Sequence, residues 1–248
     1  MEASLGKRPK IVIVMPAYNA ALTLEKTYYA LPEGSFDQII LVDDASSDNT
    51  IEIAKKLNLT AIRHRKNRGY GGNQKTCYSR ALEEGAEVVV MLHPDYQYDP
   101  TIIREIVKPI LSGEADVVFA SRMLGSPLKG GMPFYKYVAN KFLTWLENLV
   151  LGTHFSEFHT GYRAYNRHAL TSVNFEANSE NFVFDNEIIV QFVLKKMRFK
   201  EIPVTTRYSF DSSSVSFKSG VVYGLSILRT IAKYLLFQWR IVRYKQFD

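Results

Sequence analysis

The sequence predicts an α/β fold in which helices flank a mixed, mostly parallel sheet. Two observations support this prediction. Short apolar runs alternate with helical patterns through the first half of the chain, and polar residues gather directly after the apolar runs. Strands buried on both faces form continuous apolar runs, and open α/β sheets bind ligands just past the carboxyl ends of such strands. With 248 residues, the chain is long enough for one such domain with a substantial core.

The predicted elements follow one another in a β-α-β-α order. Strands are expected at residues 11–15, 39–42, 60–64, 88–92 and 116–120. Helices are expected at residues 22–31, 51–57, 70–84 and 134–151, with an amphipathic helix from residue 221 onward. This order implies right-handed crossovers that bring the carboxyl-end loops to one edge of the sheet. We therefore divide the chain into an α/β domain, residues 1–210, and a C-terminal helical extension, residues 211–248.

Composition and charge limit the classes of ligand and compartment. The net charge of +6 suits a polyphosphate ligand or an anionic membrane surface, and it is too small to indicate nucleic acid. Cys77 is the single cysteine, which excludes a disulfide framework and a thiolate metal cluster. Residues 1–10 lack the apolar core of a signal peptide, so we expect a cytoplasmic protein.

The segment at residues 90–100, VMLHPDYQYDP, is the most informative part of the chain. Asp95 and Gln97 follow the fourth predicted strand and supply hard oxygen ligands, the type that holds Mg²⁺ or Mn²⁺ together with substrate phosphates. Asp99 and Pro100 are explained more simply, because Asp suits a helix N-cap and Pro the first helical position. The segment therefore predicts a metal and phosphate site beside a helix start.

Three more loops carry groups that a nucleotide diphosphate needs. Residues 16–19 (PAYN) offer an aromatic shelf, and Asp43 and Asp44 end the second strand with hydrogen-bond acceptors. Residues 67–75 (NRGYGGNQK) form a glycine-rich turn with cations, although neither P-loop nor dinucleotide-fold spacing is present. Together with residues 93–97, these loops predict a nucleotide site.

These motifs resemble those of inverting family 2 glycosyltransferases with the GT-A fold. Within that family, the chain is most similar to dolichyl-phosphate mannose synthases and polyprenyl-phosphate hexosyltransferases. The likeness covers most of residues 10–210. It is carried by P-x-Y-N at 16–19, V-D-D-x-S-x-D-x-T at 42–50, N-x-G-x-G at 67–71, Ser-Arg at 121–122, the TGYRAY segment at 160–165, and Glu187 followed by residues 199–204.

The chain departs from the family at its metal motif, D-x-D-x-Q. His93 stands at the first position, whereas Asp95 and Gln97 keep the metal positions. The resemblance implies a Mg²⁺ or Mn²⁺ cofactor there. His93 can donate a hydrogen bond to a phosphate or ligate a transition metal. Loss of one carboxylate should weaken Mg²⁺ binding in the absence of nucleotide.

The resemblance also implies a reaction and a set of site residues. A hexose would pass from a UDP- or GDP-sugar to a polyprenyl phosphate with inversion of configuration. Asp43 or Asp44 would bind the base, and the implied nucleotide-sugar site comprises Pro16, Tyr18, Asn19, Asp43, Asp44, Asn67, Gly71, Lys75, His93 and Asp95. The implied catalytic residues are Asp95, Arg163 and Glu187, the last of which replaces the aspartate of a Glu-Asp pair. The implied acceptor-binding residues are Arg122, Arg163 and Arg207, with Arg167 as a further phosphate-handling candidate.

Two alternatives remain open. The first is transfer to a sugar or lipid hydroxyl in the synthesis of a glycolipid or polysaccharide of the cell envelope, which requires a general base such as Glu187. Glu187 is equally explained as a helix-face carboxylate paired with an arginine. The second alternative is a catalytically degenerate protein that binds nucleotide sugars, for which His93 is the only argument.

The C-terminal segment, residues 221–247, predicts an interfacial helix. Its polar residues fall on one narrow stripe, and Arg229 and Lys233 interrupt any uncharged run that would span a bilayer. Trp239 and the nearby arginines give it an aromatic and basic end. We expect peripheral contact with the cytoplasmic face of the membrane. Packing of this helix against the domain, or against a second subunit in a homodimer, is the alternative.

Overall fold

The computed structural model describes residues 8–207 and 217–247. The strands of this part are β1 (Ile11–Ala17), β2 (Gln38–Asp43), β3 (Thr60–Arg63), β4 (Val88–Met91), β5 (Val117–Ser121), β6 (Arg163–Asn166) and β7 (Phe199–Pro203). The α-helices of this part are α1 (Leu24–Tyr29), α2 (Thr50–Lys56), α3 (Gly69–Glu83), α4 (Ile103–Leu111), α5 (Phe134–Leu151), α6 (Arg167–Thr171), α7 (Phe184–Leu194) and α8 (Phe217–Gln238).

The strands form one mixed sheet of order β3-β2-β1-β4-β6-β5-β7. Strand β6 runs antiparallel to β4 and β5, and every other neighbouring pair is parallel. The five predicted strands and the helix at 134–151 are confirmed. The sequence analysis identifies the segments of β6 and β7 as family motifs but does not predict that they are strands. Strand β6 is four residues long and half polar, and β7 is only partly buried, so neither has the continuous apolar run of a buried strand.

Two apolar layers sandwich the sheet, and β1 shows why its sequence is apolar throughout. All seven residues of Ile11–Ala17 are buried. Val12 and Val14 contribute to the layer on one face, whereas Ile13 and Met15 contribute to the layer on the other. Because side chains alternate across a strand, a strand covered on both faces needs apolar residues at every position. The carboxyl ends of β1, β2 and β4 thus lie side by side at one edge.

Helix α8 is docked on the domain by one side. Ile227 and Ile231 are buried beside Val183, and Lys233 Nζ lies 3.8 Å from Glu187 Oε1. The other side exposes apolar residues, namely Val221, Val222, Leu225 and Leu228. The expected packing against the domain therefore describes the buried side of α8, and the expected apolar outer face describes its exposed side. The expected domain boundary at residues 210 and 211 lies outside the described residues.

By length and composition alone, one helix in the described ranges, Gly220–Gln238, is apolar enough to cross a membrane, with a mean hydropathy of 1.3. Core helices of soluble proteins meet the same criterion.

Candidate active site

A cavity of about 1020 Å³ lies at the carboxyl ends of β1, β2 and β4 and continues between α5 and α8. It gathers loops that are distant in sequence, as expected for the crevice of an open α/β sheet. The sequence-predicted residues that line it are Pro16, Tyr18, Asn19, Asp44, Asn67, His93, Asp95, Gln97 and Arg122. Most of the predicted nucleotide and metal positions are therefore brought together.

The loop after β1 is fixed to the loop after β2. Asn19 adopts a left-handed conformation with φ of 51°, and its Oδ1 accepts a hydrogen bond from the Ser47 amide at 2.9 Å. The Asn19 amide donates in turn to Ser46 Oγ at 2.8 Å. Asparagine tolerates this backbone region better than most residues. Tyr18, whose side chain is exposed, lies on the cavity wall as a shelf that a base can stack against.

Asp44 ties the end of β2 to the start of α3. Its Oδ1 accepts from the Arg68 amide at 2.8 Å and from His64 Nδ1 at 2.7 Å, and its Oδ2 accepts from the Gly69 amide at 2.9 Å. Asp43 lies behind it, fully buried and 3.3 Å from Arg63 Nε, and does not line the cavity. Both carboxylate oxygens of Asp44 already accept hydrogen bonds within the protein, and Asp43 is enclosed. Base recognition by either aspartate therefore stays a prediction.

Two more residues expected at the nucleotide, besides Asp43, lie elsewhere. Lys75 is buried, and its Nζ donates to the Asn178 carbonyl at 2.5 Å. The Gly71 amide donates to the Glu180 carbonyl at 2.8 Å, and a Cβ at Gly71 would overlap the Ser179 carbonyl oxygen. Neither residue lines the cavity. Both hold α3 against residues 178–180, so the glycine is needed for close packing here.

The predicted metal ligands share one tight turn. The Gln97 amide donates to Asp95 Oδ1 at 3.0 Å, and Tyr96 between them has a φ of 55°. The Tyr96 ring lies under two cations, with Lys26 Nζ 4.1 Å and the Arg207 guanidinium carbon 5.0 Å from its centroid. A non-glycine residue in this region persists only when its surroundings hold it, as is common at functional sites.

The donor set at this turn fits a cation shared with a substrate. No group of three or more histidine, cysteine or acidic side chains that could enclose a metal occurs within residues 8–207 and 217–247. One carboxylate and one amide oxygen are nevertheless enough for Mg²⁺, which keeps waters and takes phosphate oxygens rather than a complete protein cage. Asp95 and Gln97 therefore suit a cation that binds together with a diphosphate.

Two cations face the part of the cavity near α5. Arg122 is held by Glu157, to which its backbone amide donates at 2.8 Å and its Nε at 2.7 Å, and its Nη2 donates to the His159 carbonyl at 2.8 Å. Lys136 of α5 lines the same part, and burial together with the charge of Arg122 lowers its pKa. Arg122 is already paired with the Glu157 carboxylate, and an anionic ligand at this part of the cavity would stabilise the charged form of Lys136. The sequence did not identify Lys136.

The far wall of the cavity is apolar. Phe142 and Leu143 of α5 and Val221 of α8 line it. Phe142 and Val221 are also 58% and 50% exposed, so the wall continues onto the protein surface. A ligand with an anionic head and an apolar tail would find both environments in one cavity.

Comparison with known proteins identifies the family. The family model for glycosyl transferase family 2 matches residues 12–173. The chain belongs to glycosyl transferase family 2. It is 28% identical over 216 residues to a UDP-N-acetylglucosamine–dolichyl-phosphate N-acetylglucosaminyltransferase of Methanococcus voltae, covering 80% of this chain and 86% of that protein. It is 25% identical over 210 residues to an undecaprenyl-phosphate mannosyltransferase of Micrococcus luteus, covering 79% and 83%.

The fold of this family 2 member also matches a solved structure. Glucosyl-3-phosphoglycerate synthase from Mycobacterium tuberculosis, in complex with Mn²⁺, UDP and glucosyl-3-phosphoglycerate, superposes with a TM-score of 0.70 at 16% identity, covering 91% of this chain and 80% of that one. The expected GT-A fold is thereby confirmed.

Asp185 is the acidic residue of the DNE tripeptide (residues 185–187) that lines the cavity, whereas the sequence had favoured Glu187. Glu187 is buried and accepts from the Ser179 amide at 2.6 Å and from Ser179 Oγ at 3.0 Å. Successive residues of a helix are rotated by about 100°, so residues two apart cannot face the same cavity. The structure therefore assigns Glu187 to packing between α7, α8 and residue 179.

The other arginines expected at an acceptor phosphate do not line the cavity. Arg163 is fully buried and donates to the carbonyls of Asp185 and Phe158, both at 3.0 Å. Arg167 donates to the Leu82 carbonyl at 3.0 Å, and Arg207 contacts Tyr96. A guanidinium enclosed by protein cannot reach a ligand, so the expected acceptor contact of Arg163 is corrected to a structural one. Of the four arginines, Arg122 alone lines the cavity.

Proposed function

We propose that this enzyme transfers a hexose from a UDP- or GDP-sugar to a polyprenyl phosphate at a membrane surface. The observation that supports this most is the continuity of the cavity. Nucleotide-type loops, the cations Arg122 and Lys136, and an apolar wall that reaches the protein surface all line this one cavity. The relatives named for transfer to dolichyl and undecaprenyl phosphate agree with this acceptor class.

The donor end would hold the nucleotide sugar through Pro16, Tyr18, Asn19 and Asn67. Asp95 and Gln97 would hold Mg²⁺ or Mn²⁺, which, when bound, neutralises charge on the departing diphosphate. In the transfer itself, a phosphate oxygen of the acceptor bonds to the anomeric carbon while the bond from that carbon to the diphosphate breaks. The electron pair leaves with the nucleoside diphosphate, and the configuration inverts.

The environment of Asp185 favours a phosphate over a hydroxyl acceptor. Its Oδ2 accepts from Tyr70 Oη at 2.6 Å and its Oδ1 from Gln74 Nε2 at 3.0 Å. A hydroxyl acceptor must lose a proton to a general base as it attacks. An ionised phosphate has no such requirement. A carboxylate with hydrogen bonds at both oxygens suits a fixed charge beside the sugar better than a proton acceptor.

The outer faces of α5 and α8 provide the membrane contact in this proposal. On α5, exposed apolar side chains recur every three or four residues, at Phe134, Val138, Phe142, Trp145 and Leu149. On α8 they include Val221, Val222 and Leu225. Exposed cations follow at Arg240 and Arg243. Such a surface suits peripheral binding to the anionic cytoplasmic face of a membrane. A homodimer stays a prediction.

The decisive experiment compares acceptors in the wild type and in two lysine variants of α5. Lys136→Ala should raise the KM for a polyprenyl phosphate about tenfold or more, because one charge-assisted hydrogen bond is lost. Lys141→Ala is the matched control, since Lys141 is exposed on the same helix and does not line the cavity. Transfer of labelled hexose to a neutral glycolipid but not to polyprenyl phosphate would contradict the proposal and favour the hydroxyl alternative. Absence of any transfer would favour the degenerate binding protein.

A further inference from the structure

Three side chains from separate segments meet at one hydroxyl group in the cavity. Tyr70 Oη, from the first turn of α3, lies 2.6 Å from Asp185 Oδ2 and 3.1 Å from His93 Nε2. The Tyr70 ring also stacks on the His93 ring, with centroids 5.4 Å apart and planes 27° apart. All three residues line the cavity.

The hydrogen bonds of this chain have one consistent direction. An ionised carboxylate only accepts, so the single hydroxyl hydrogen of Tyr70 goes to Asp185. His93 Nε2 must then carry a hydrogen and donate it to Tyr70 Oη. Burial and the charge of Asp185 raise the pKa of Tyr70, so its hydroxyl keeps the hydrogen that it donates. A protonated Nε2 has no lone pair for a cation.

Asp185 is held equally firmly on its other side. Gln74 Nε2 donates to Oδ1 at 3.0 Å, and Tyr78 Oη fixes Gln74 by donating to its Oε1 at 2.7 Å. The buried Arg163 contributes Nη1 at 3.3 Å from the same Oδ1. These contacts lie within the protein, whereas the contact through Tyr70 ends at His93 in the cavity wall. On the Tyr70 side, the last hydrogen bond of the chain is therefore the one with His93, which lines the cavity.

Gly161 leaves room for this position of His93. A Cβ at Gly161 would lie 3.0 Å from His93 Cδ2 and 3.1 Å from Nε2, closer than ordinary van der Waals contact. Because Gly161 has no side chain, the His93 imidazole can lie against the Gly161 backbone while its Nε2 reaches Tyr70. This packing is independent of any ligand.

We propose that His93 is a positioning residue that acts through Tyr70 to hold the Asp185 carboxylate toward the transferred sugar, and that its Nε2 does not ligate the cation. This inference rests on the proposed function, since it assigns the sugar to the space beside Asp185. It also explains the departure from D-x-D-x-Q. An aspartate at position 93 is too short to reach Tyr70 Oη from the place of His93 Nε2, and an ionised carboxylate has no hydrogen to donate, so it would not make this contact.

The kinetic test is a double-mutant cycle on the full-length protein. His93→Ala and Tyr70→Phe should each lower kcat about tenfold with the donor KM within about twofold, because each removes one link of the same chain. The double variant should be no slower than the slower single variant. His93→Gln should recover most of the kcat, since its side-chain amide donates from a similar place. His93→Asp should be slower than His93→Gln.

Two further measurements separate this role from ligand binding. Imidazole ¹⁵N shifts in the ligand-free protein should show His93 with its hydrogen on Nε2, and Tyr70→Phe should weaken that preference. Calorimetric titration of UDP and GDP with Mn²⁺ should give the same affinities for wild type and His93→Gln. Additive kcat losses, or a loss of nucleotide or Mn²⁺ affinity with kcat retained, would overturn the inference. If wild type transfers no hexose to polyprenyl phosphate, the proposed function fails, whereas the ¹⁵N measurement still decides the His93–Tyr70 contact.

Discussion

Arg163 lies beneath Asp185 and binds it twice. Its Nη1 donates to the Asp185 carbonyl at 3.0 Å and lies 3.3 Å from the carboxylate Oδ1. The guanidinium carbon also lies 5.5 Å from the centroid of the Phe119 ring, inside the core. The charge of Asp185 raises the pKa of Arg163 against the opposing effect of burial. A residue that was expected to bind an acceptor thus supports a carboxylate at the cavity.

Arg163→Ala should destabilise the fold rather than weaken acceptor binding directly. Removing one partner of a buried ion pair costs about 3–5 kcal/mol, because the other charge is left without compensation. Arg207→Ala, which removes the guanidinium of an exposed residue over Tyr96, should cost less than about 1 kcal/mol. Urea unfolding of both variants measures the difference. A stable Arg163→Ala protein with a raised acceptor KM would show that the guanidinium reaches the ligand after all.

Asp95→Ala should abolish turnover and leave the fold intact, because the carboxylate that would hold the cation is lost. Asp99→Ala is the matched control. Asp99 is also a carboxylate in this loop, but it accepts from the Thr101 amide at 3.0 Å as the N-cap of the short 3₁₀ helix Pro100–Ile102, and its loss should cost about 1 kcal/mol of stability only. Excess chelator should stop the wild-type reaction, and added Mg²⁺ or Mn²⁺ should restore it. Full activity in chelator would refute the metal role.

A buried acid and a buried histidine meet between α5 and α8. Glu147 Oε2 lies 3.2 Å from His159 Nε2, and Tyr223 Oη of α8 lies 3.0 Å from His159 Nδ1. Burial raises the pKa of Glu147 from 4.5 to about 8, and it lowers the pKa of His159 from 6.5 to about 3. The folded pair therefore holds one proton between these limits, pH 3 and pH 8.

Stability should consequently fall as pH rises from about 6.5 to about 8. In this window the unfolded chain has released the protons of both groups, whereas the folded chain still keeps one on the pair. Because the folded state binds more protons, the free energy of unfolding falls as pH rises. The expected loss is about 2 kcal/mol. Between pH 4.5 and 6.5 both states hold one proton on these groups, and no change is expected from them.

Chemical unfolding at pH 6.5 and 8 tests this, with Glu147→Gln as the reference. The glutamine variant lacks the titrating acid, so its stability should not fall for this reason between pH 6.5 and 8. The free energy of unfolding of the wild type, relative to that of the variant, should therefore decrease by about 2 kcal/mol over this window. A difference that is independent of pH would show that Glu147 is ionised in the folded protein at pH 6.5.

The apolar faces of α5 and α8 should bind anionic vesicles. The double variant Trp145→Ala/Leu149→Ala removes two exposed apolar side chains of α5. A smaller fraction of it than of the wild type should sediment with vesicles of anionic lipid. Tyr29→Ala is the control, because Tyr29 is an exposed aromatic residue of α1. Salt should release part of the bound wild type, since each nearby Lys or Arg contributes about 1 kcal/mol. A wild type that stays in the supernatant at low salt would assign these faces to a protein partner instead.

Local sequence patterns predicted the strands of the parallel part of the sheet and, with the family motifs, most of the residues that line the nucleotide-type part of the cavity. Strands β1 and β4 are apolar at every position, β2 is apolar between Gln38 and Asp43, and polar residues follow each of these apolar runs. The sequence therefore shows where a buried strand ends and the cavity begins. Asp95 and Gln97 were identified in this way, the family resemblance added Pro16, Tyr18, Asn19 and His93, and all six line the cavity.

Which carboxylate and which cations line the cavity was decided by the tertiary structure. Asp185 and Glu187 are two residues apart, and only the orientation of α7 against β6 and residues 178–180 decides which one faces the cavity. Arg163 and Lys75 have the charge of phosphate ligands, yet packing encloses both, whereas Lys136 carries no motif and lines the site. The sequence determined the family, five of the seven described strands and the ligand-binding edge, because these depend on patterns that are local. Which charged groups meet a ligand depends on contacts between α5, α7 and α8, and those are made only when distant segments pack together.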